Sequence, residues 1–199
     1  MRSTRSSKRE AGFTLIEMLV VMLIIGIMAT LGMPALQQMI NRSRLEGLAR
    51  EIAVMCQSTR LEAIKGGIPT VIRFDITNRF VVSWIDANGD NIQDAGEREL
   101  LRRQLPPQAE YGGPGGLGET GGLPKDSDGA WLTFNVNGSI ELTSAGDCDA
   151  GLGCVRFGDS RPNYLELSIG PAATANVRVR KWNGSYWALP GEGGPWEWK

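Results

Sequence analysis

The sequence contains no histidine, and its formal net charge is only −1 over 199 residues. Histidine is the usual general base near neutral pH and the commonest metal ligand, so its absence excludes hydrolases of the Ser/His type and zinc sites built on imidazole. A net charge close to zero gives no global electrostatic reason for binding nucleic acid or a membrane surface. The composition therefore predicts a protein that is not an enzyme and whose affinity for charged partners is local.

The few charges near the N-terminus are unevenly placed. Residues 1–12 contain four basic side chains against one acidic side chain, Glu10. They are followed by 23 residues without any charge, 18–40, and a membrane-spanning helix needs about 20. Because cytoplasmic flanks are rich in Lys and Arg, we expect residues 1–12 inside and the chain after Arg42 outside. No small-residue cleavage motif follows the apolar run, so cleavage behind the helix is not expected.

An acidic residue, Glu17, lies at the start of this apolar run. An unpaired carboxylate carried into hydrocarbon would cost several kcal/mol. The position therefore predicts a positively charged partner for Glu17. The alternative is that Glu17 marks the interfacial edge of the helix and stays in the headgroup layer.

Residues 12–17, Gly-Phe-Thr-Leu-Ile-Glu, resemble the type IV prepilin (class III) signal. The resemblance implies that a prepilin peptidase cuts between Gly12 and Phe13 and methylates the new amine of Phe13. Residues 1–12 would then be the leader, and Glu17 the fifth residue of the mature chain. In this family the glutamate at that position is thought to pair with the terminal amine of a neighbouring subunit, which would supply the partner that Glu17 needs.

Two residues that weaken helices, Gly26 and Pro34, lie inside the apolar segment. Pro34 removes one backbone hydrogen bond, so we expect a bend there. Both match positions that, in assembled pilins, bracket a stretch of helix able to unwind. The alternative is a tolerated kink of a membrane helix.

The segment 41–65 is predicted to be the amphipathic second half of the same helix, ended by Gly66 and Gly67. Its apolar stripe is Leu45, Leu48, Ile52 and Met55, followed by Leu61 or Ile64. Cys56 falls on or beside the stripe and is expected to be a buried, inert thiol.

Beyond Pro69 the sequence predicts short strands separated by Gly, Asn and Asp. A long helix lying across an antiparallel sheet gives an α+β head over residues 66–199. The Gly- and Pro-rich segment 106–129 is too poor in apolar residues for a core, and we expect a mobile surface loop. The predicted strands are 70–75, 79–85, 99–104, 131–134, 139–142, 154–157, 164–169 and 176–182.

The order of these elements, together with the signal, resembles the GspH/FimT class of minor pilins and pseudopilins. The resemblance implies a type IV pilin-like fold, in which residues 13–40 form the transmembrane and filament-core half of the helix. It also implies a single-pass inner-membrane precursor with a periplasmic head, which later joins a filament of other pilins or pseudopilins.

In an oxidising periplasm, Cys148 and Cys154 are expected to form a disulfide that closes a small loop between two strands. The alternatives are two free thiols or a bond that involves Cys56.

Residues 86–97 place oxygen-bearing side chains at the spacing of an EF-hand-like calcium loop. Asn91 replaces the expected glycine, and the flanks are predicted strands rather than helices. The alternative is a polar hairpin turn with hydrated acids. The candidate calcium ligands are Asp86, Asn88, Asp90, Asp94 and Glu97, and no other cofactor is predicted.

Three cations, Arg178, Arg180 and Lys181, lie close to the aromatic residues of the C-terminal region, ingredients of nucleic-acid contact. Members of the resembling class in competence pili bind DNA through Gly-Arg-x-Arg, and residues 177–180, Val-Arg-Val-Arg, keep both arginines but lack the glycine. The alternative is that these arginines only solvate an outer sheet face. Arg178 and Arg180 are predicted to share one face of a strand.

These observations favour a minor pilin that helps to initiate or cap a type IV pilus after cleavage by prepilin peptidase. One alternative is a pseudopilin of a type II secretion system. The other is a pilus-associated subunit that captures DNA for uptake.

Overall fold

The computed structural model describes residues 13–143, 148–159 and 163–189. The chain divides into two compact units, residues 1–40 and residues 41–199. One helix, α1 (Leu15–Gly66), contributes to both units. The predicted leader, including Gly12, lies outside the described residues.

The second half of α1 buries one face, as its apolar spacing predicts. Residues that recur every three or four positions lie on one side of a helix, and this side faces the core. The stripe from Leu45 to Met55 is confirmed, whereas Leu61 and Ile64 are 52% and 45% exposed. The buried residues of α1 are Leu45, Leu48, Ala49, Ile52, Met55, Cys56, Thr59 and Ala63.

The last turns of α1 depart from the predicted stripe because Thr59 and Ala63 take the inner positions. The Thr59 hydroxyl donates to the carbonyl of Met55 at 2.8 Å, so the buried polar group is satisfied within the helix. The hydroxyl of Thr70 donates to the carbonyl of Thr59 at 2.9 Å and ties the next strand to the helix. Gly67, at φ 61°, ends the helix with a hydrogen bond from its N–H to the carbonyl of Ala63.

The described strands form two antiparallel sheets, which confirms the predicted α+β fold class. The first sheet has the order β3-β2-β1-β6, and the second has the order β10-β9-β8-β7-β4, with β5 also paired to β7. Residues 139–142 do not form the predicted strand, since only Ile140 makes a single bridge, to Phe134. The strands are β1 (Thr70–Asp75), β2 (Phe80–Ile85), β3 (Glu99–Gln104), β4 (Glu110–Tyr111), β5 (Thr120–Gly121), β6 (Gly129–Phe134), β7 (Gly153–Gly158), β8 (Tyr164–Ile169), β9 (Val177–Trp182) and β10 (Trp187–Ala188).

The main core lies between the buried face of α1 and the inner faces of both sheets. Side chains alternate between the two faces of a strand, so every second residue of each central strand enters this core. Phe74 of β1, Leu132 of β6, Phe157 of β7 and Leu167 of β8 are all fully buried there. The other face of each sheet is left to make its own contacts.

The segment 106–129 is not the loose surface loop that its composition predicts. It contains β4, β5 and a short 3-10 helix, Pro114–Gly116. Ala109 and Leu123 belong to the main core, and the Tyr111 hydroxyl donates to the carbonyl of Phe80 at 3.0 Å. Burial raises the pKa of Tyr111 far above its ordinary value. Part of this Gly-rich segment therefore packs in the core through a few apolar side chains.

Candidate functional site

The N-terminal end of α1 places Glu17 in the first helical turn. The Glu17 backbone N–H donates to the Thr14 hydroxyl at 3.3 Å, and the Met18 N–H donates to the Thr14 carbonyl at 3.3 Å. Thr14 is therefore the N-cap and Glu17 the third residue of the helix, which is the Thr-x-x-Glu pattern of a helix start. Phe13, the predicted mature N-terminus, directly precedes this cap and is 74% exposed.

The first half of α1 exposes all of its large apolar side chains. In the described part of the chain no charged residue interrupts the helix between Glu17 and Arg42. Each large hydrophobic residue from Phe13 to Ile40 is at least 41% exposed. The helix is long and apolar enough to cross a membrane. An apolar surface that encircles a helix needs lipid or the equivalent surface of another subunit to cover it.

Helix α1 continues through both predicted weak points, Gly26 and Pro34. Pro34 has no N–H to offer to the carbonyl of Thr30, four residues earlier. The Thr30 hydroxyl donates to the carbonyl of Ile27 at 2.8 Å, a local bond that often accompanies helix bending. Local unwinding at these residues during assembly stays a prediction.

The structure contains the predicted disulfide between Cys148 and Cys154, with Cα atoms 6.0 Å apart. Cys56 is a free cysteine in the main core. Burial raises the pKa of the Cys56 thiol to about 12, so almost none of it is the reactive thiolate near neutral pH. The prediction of a buried, inert thiol agrees with this environment.

We expect thiol titration to separate the three cysteines by their environments. With a thiol reagent at pH 8, the native protein should show no reactive thiol, because Cys56 is buried and protonated. Unfolding in denaturant without reductant should expose one thiol, and adding a reductant before unfolding should expose three. One reactive thiol in the native protein would contradict the burial of Cys56, and three in unreduced denaturant would contradict the disulfide.

The outer face of the second sheet carries a buried row of charges. Arg156, Glu166 and Arg180 face one another across β7, β8 and β9 in register. Arg156 donates to the Glu166 carboxylate at 2.9 Å, and both side chains are completely buried. Arg180 also pairs with Glu166 and, at the exposed end of the row, with Asp149. Although partial burial opposes the shift, these two carboxylates raise the pKa of Arg180.

This row changes the interpretation of the predicted DNA-contacting cations. Arg178 and Arg180 do lie on the same face of β9, as the strand period predicts. Arg180, however, forms ion pairs with Glu166 and Asp149, and its side chain is only 11% exposed. Lys181 lies on the other face of β9, where it is in register with Leu165 of β8, and it is 4% exposed. The structure therefore does not bring the three cations together on one exposed basic surface.

Sequence reasoning missed this ionic row, although the sequence contains a signal for it. Arg156 and Glu166 each lie between two apolar neighbours, in Val155-Arg156-Phe157 and Leu165-Glu166-Leu167, and Arg180 follows the apolar Val179. In strands whose apolar residues face the core, an alternating charge must lie on the other face. The pattern does not predict that the three charged residues lie opposite one another on neighbouring strands.

The candidate calcium loop connects β2 to β3. The Asp86 carboxylate, 1% exposed, accepts hydrogen bonds from the N–H groups of Gly89 and Asn91 at 2.8 and 3.0 Å. Within residues 13–143, 148–159 and 163–189, no three His, Cys, Asp or Glu side chains converge to hold a metal ion. Calcium binding stays a prediction. Hydrogen bonds within the loop also occupy the other four predicted ligands: Asn88, Asp90, Asp94 and Glu97.

Comparison with known families confirms the predicted N-terminal signal. Residues 7–33 match the family model described as "Prokaryotic N-terminal methylation motif". The matched residues include the predicted cleavage position, Glu17 and the first part of the apolar helix. No curated protein matches the chain in sequence.

Two solved structures are similar to this chain in part. The minor pseudopilin EpsH from the type 2 secretion system of Vibrio cholerae shares 13% identity at a TM-score of 0.43, covering 74% of this chain and 98% of its own. The type IV minor pilin FimU of Pseudomonas aeruginosa PAO1 shares 16% identity at a TM-score of 0.42, covering 74% and 94%. At these scores neither likeness carries an argument about function.

Proposed function

We propose that this protein is a minor pilin, a non-enzymatic subunit that helps to initiate or cap a type IV pilus. The observation that carries this proposal is the apolar half of α1, whose large hydrophobic side chains are all exposed, in a chain with an N-terminal methylation motif. A membrane helix alone needs no such motif. A helix that must leave the bilayer and pack into a filament needs an apolar surface all around and a processed N-terminus.

In this proposal, processing begins with hydrolysis of the peptide bond between Gly12 and Phe13 by prepilin peptidase on the cytoplasmic side. Water supplies the hydroxyl to the Gly12 carboxyl and a hydrogen to the Phe13 amine. The peptidase then transfers one methyl group from an external methyl donor to that amine. Removal of the basic leader leaves Glu17 as the first charged side chain of the mature chain.

Assembly then transfers the helix from lipid into the filament. The exposed apolar residues exchange lipid contacts for contacts with neighbouring helices, a change that by itself provides little directionality. Glu17 provides the register, because its carboxylate reaches low free energy only where a neighbouring subunit places a terminal amine beside it. Before assembly, the protein would be a single-pass inner-membrane protein with its head in the periplasm.

A pseudopilin of a type II secretion system would use the same exposed helix and the same register residue. The filament in which the mature chain is found distinguishes the two roles. DNA capture is not favoured by the geometry, because the side chain of Arg180 is nearly buried and paired to two carboxylates, and Lys181 is buried on the opposite face.

Mass spectrometry of the protein from native membranes and from sheared surface filaments tests the proposal. We expect the N-terminal peptide to begin at Phe13 with one added methyl group, and the mature chain to occur in the sheared fraction. Recovery of the chain with residues 1–12 still attached would contradict the proposal. Recovery of a processed chain only in complexes with secretion-system components would instead indicate the pseudopilin role.

A further inference from the structure

The outer face of the first sheet carries a second, smaller apolar cluster. Val71, Val82 and Trp84 are buried there, and Phe80 and Trp131 pack against them. They occupy this face because the register places Trp84 opposite Val71, and Arg73 between Val82 and Trp131. An apolar patch on the outer face of a sheet is stabilised when other groups shield it from water. Val71, Val82 and Trp84 are shielded in this way, whereas Phe80 and Trp131 are only partly buried.

The loop between β2 and β3 forms one wall beside this cluster. Its backbone is fixed by the buried Asp86 carboxylate, which holds the N–H of Asn91 at 3.0 Å. Asn91 adopts φ 63°, a left-handed conformation that Asn tolerates better than most residues, and its side chain accepts a hydrogen bond from the Thr133 hydroxyl. The next residue, Ile92, is 63% exposed at the edge of the wall. The segment that resembles a calcium loop therefore also forms a hydrogen-bonded rim beside this cluster.

Between this rim and the residues around Arg73 lies a cleft of about 380 Å³, which we name the outer cleft. This volume is within the range of small-molecule sites. The outer cleft is lined by Arg73, Phe80, Trp84, Asn91, Gln93 and Asp126, with Asp75, Val82 and Ile92 completing it.

The polar groups of the outer cleft are mixed in character: its charged lining residues are one arginine, Arg73, and two aspartates, Asp75 and Asp126. Arg73 donates two hydrogen bonds to the Asp126 carboxylate, at 2.7 and 3.0 Å. Despite some desolvation, Arg73 and two backbone N–H groups lower the pKa of Asp126, so it remains an ionised acceptor at neutral pH. Gln93, whose amide donates to Glu99 at 3.2 Å, offers both a donor and an acceptor. A ligand here therefore meets donors and acceptors side by side rather than a field of one sign.

The floor of the outer cleft contains a polar group that is not satisfied. The indole N–H of Trp84 is buried, and no residue in the described part of the chain accepts a hydrogen bond from it. Most buried donors in native proteins are paired with protein or with ordered water, so an orphan donor lining a cleft indicates a missing acceptor. Losing such a bond is costly in a site with little water, which makes the donor selective for ligands that offer an oxygen.

We propose that the outer cleft binds an uncharged, hydroxyl-rich ligand of the oligosaccharide class. Hydroxyl groups both donate and accept, so a row of them matches the alternation of Arg73, Asp126, Asn91 and Gln93. The apolar faces of a sugar ring match Phe80 and Ile92, and one ring oxygen or hydroxyl provides the acceptor for Trp84. An anionic polymer is disfavoured because Arg73, the arginine that lines the outer cleft, already has Asp126 as its carboxylate partner, and Asp75 adds a second carboxylate to the lining. The proposal does not depend on filament assembly.

The test is a titration of the full chain with maltotetraose, cellotetraose and chitotetraose, followed through the indole N–H signals of its six tryptophans. The chain is kept in a detergent without a sugar headgroup, because a glycosidic detergent would occupy the site. We expect the Trp84 signal, assigned with Trp84→Phe, to shift saturably with at least one of the three sugars. Calorimetry on Trp84→Phe should then show affinity reduced about fivefold, the effect of one neutral hydrogen bond.

Gln93→Ala provides a second variant that keeps the fold, since Gln93 is an exposed rim residue, and it should also weaken binding about fivefold. The matched controls are Trp182→Phe on the second sheet and Gln57→Ala on the exposed side of α1, and both should bind like the unaltered chain. No saturable shift of Trp84 with any of the three sugars would overturn the proposal. So would equal affinity in Gln93→Ala, or displacement of the sugar by a short oligonucleotide. A Trp84 shift produced only by a peptide of residues 190–199 would also overturn it and would identify a peptide site.

Discussion

Replacing Glu17 with Val is expected to reduce the amount of this protein in sheared filaments by at least about tenfold while leaving it in the membrane. Breaking a buried charge pair by removing one partner typically costs 3–5 kcal/mol, because the remaining charge stays buried without compensation. In the filament that remaining charge would be the terminal amine of a neighbouring subunit. Valine makes the helix more apolar, so retention in the bilayer should not suffer.

Glu17 has a second, local role that must be separated from register. As the third residue of α1 it lies next to the positive end of the helix dipole, where a carboxylate contributes typically 0.3–1 kcal/mol. This is too small to account for a tenfold loss together with correct membrane insertion. Thr14→Val removes the cap but leaves the carboxylate, so it should reduce incorporation far less than Glu17→Val does.

The matched control is Glu62→Val, the same chemical change in the same helix. Glu62 lies on the head and pairs with Arg98 at 3.6 Å, with a side chain that is 40% exposed. Exposed pairs of this kind contribute about 0–1 kcal/mol, so incorporation should be unchanged. Immunoblots of sheared and membrane fractions measure all three variants. Incorporation of Glu17→Val at the level of the unaltered protein would remove the register role from Glu17.

The parts of the molecule that sequence could predict are those governed by local periodicity. The stripe from Leu45 to Met55 follows from the helical period, and most strand positions follow from short apolar runs between Gly, Asn and Asp. The disulfide follows from spacing and an assumed oxidising compartment. The prediction from periodicity was wrong in the last turns of α1, where small and polar side chains face the core. Thr59 and Ala63 are buried there, whereas Leu61 and Ile64 are exposed.

The parts that sequence could not predict depend on which strands become neighbours. Composition alone suggests that the segment 106–129 cannot form core, yet Ala109 and Leu123 pack there because β4 and β5 pair with β7. In the same way, the sequence alone suggests that Arg180 is a solvent-exposed cation. The structure shows that the pairing of β8 with β9 places Glu166 beside it. The outer cleft depends on the same information, since it forms only where a turn folds over a particular sheet face.

The second large effect is expected on stability, from Glu166→Ala in the buried ionic row. Glu166 is the carboxylate shared by Arg156 and Arg180, and both it and Arg156 are completely inaccessible to solvent. Its removal takes from the fully buried Arg156 guanidinium the carboxylate that it contacts at 2.9 Å, while the bond to the Gly118 carbonyl at 3.0 Å remains. We expect the free energy of unfolding of the head to fall by about 3–5 kcal/mol. For a domain of this size that corresponds to a decrease in melting temperature of roughly 6–20 °C.

Near-ultraviolet circular dichroism of the full chain in detergent measures this unfolding, because it reports on packed aromatic side chains of the head. The matched control is Glu99→Ala, which removes a carboxylate from an arginine pair whose side chains are 37% and 46% exposed. That control should lose no more than about 1 kcal/mol, because water replaces the lost partner. If Glu166→Ala were as stable as Glu99→Ala, the buried row would not contribute to the stability of the second sheet.

A double variant distinguishes two contributions to the free energy of unfolding: the stabilisation by the complete ion pair, and the cost of burying Arg156 without the Glu166 carboxylate. Arg156→Met with Glu166→Leu removes both fully buried charges and keeps side chains of comparable length. Because apolar replacement of a complete buried pair is often neutral or stabilising, it should recover much of the stability that Glu166→Ala loses. Arg180 would keep Asp149, its partner at the exposed end of the row. Recovery would show that Glu166 is required chiefly because Arg156 is present, so that the row fixes how β7, β8 and β9 align more than it strengthens their packing.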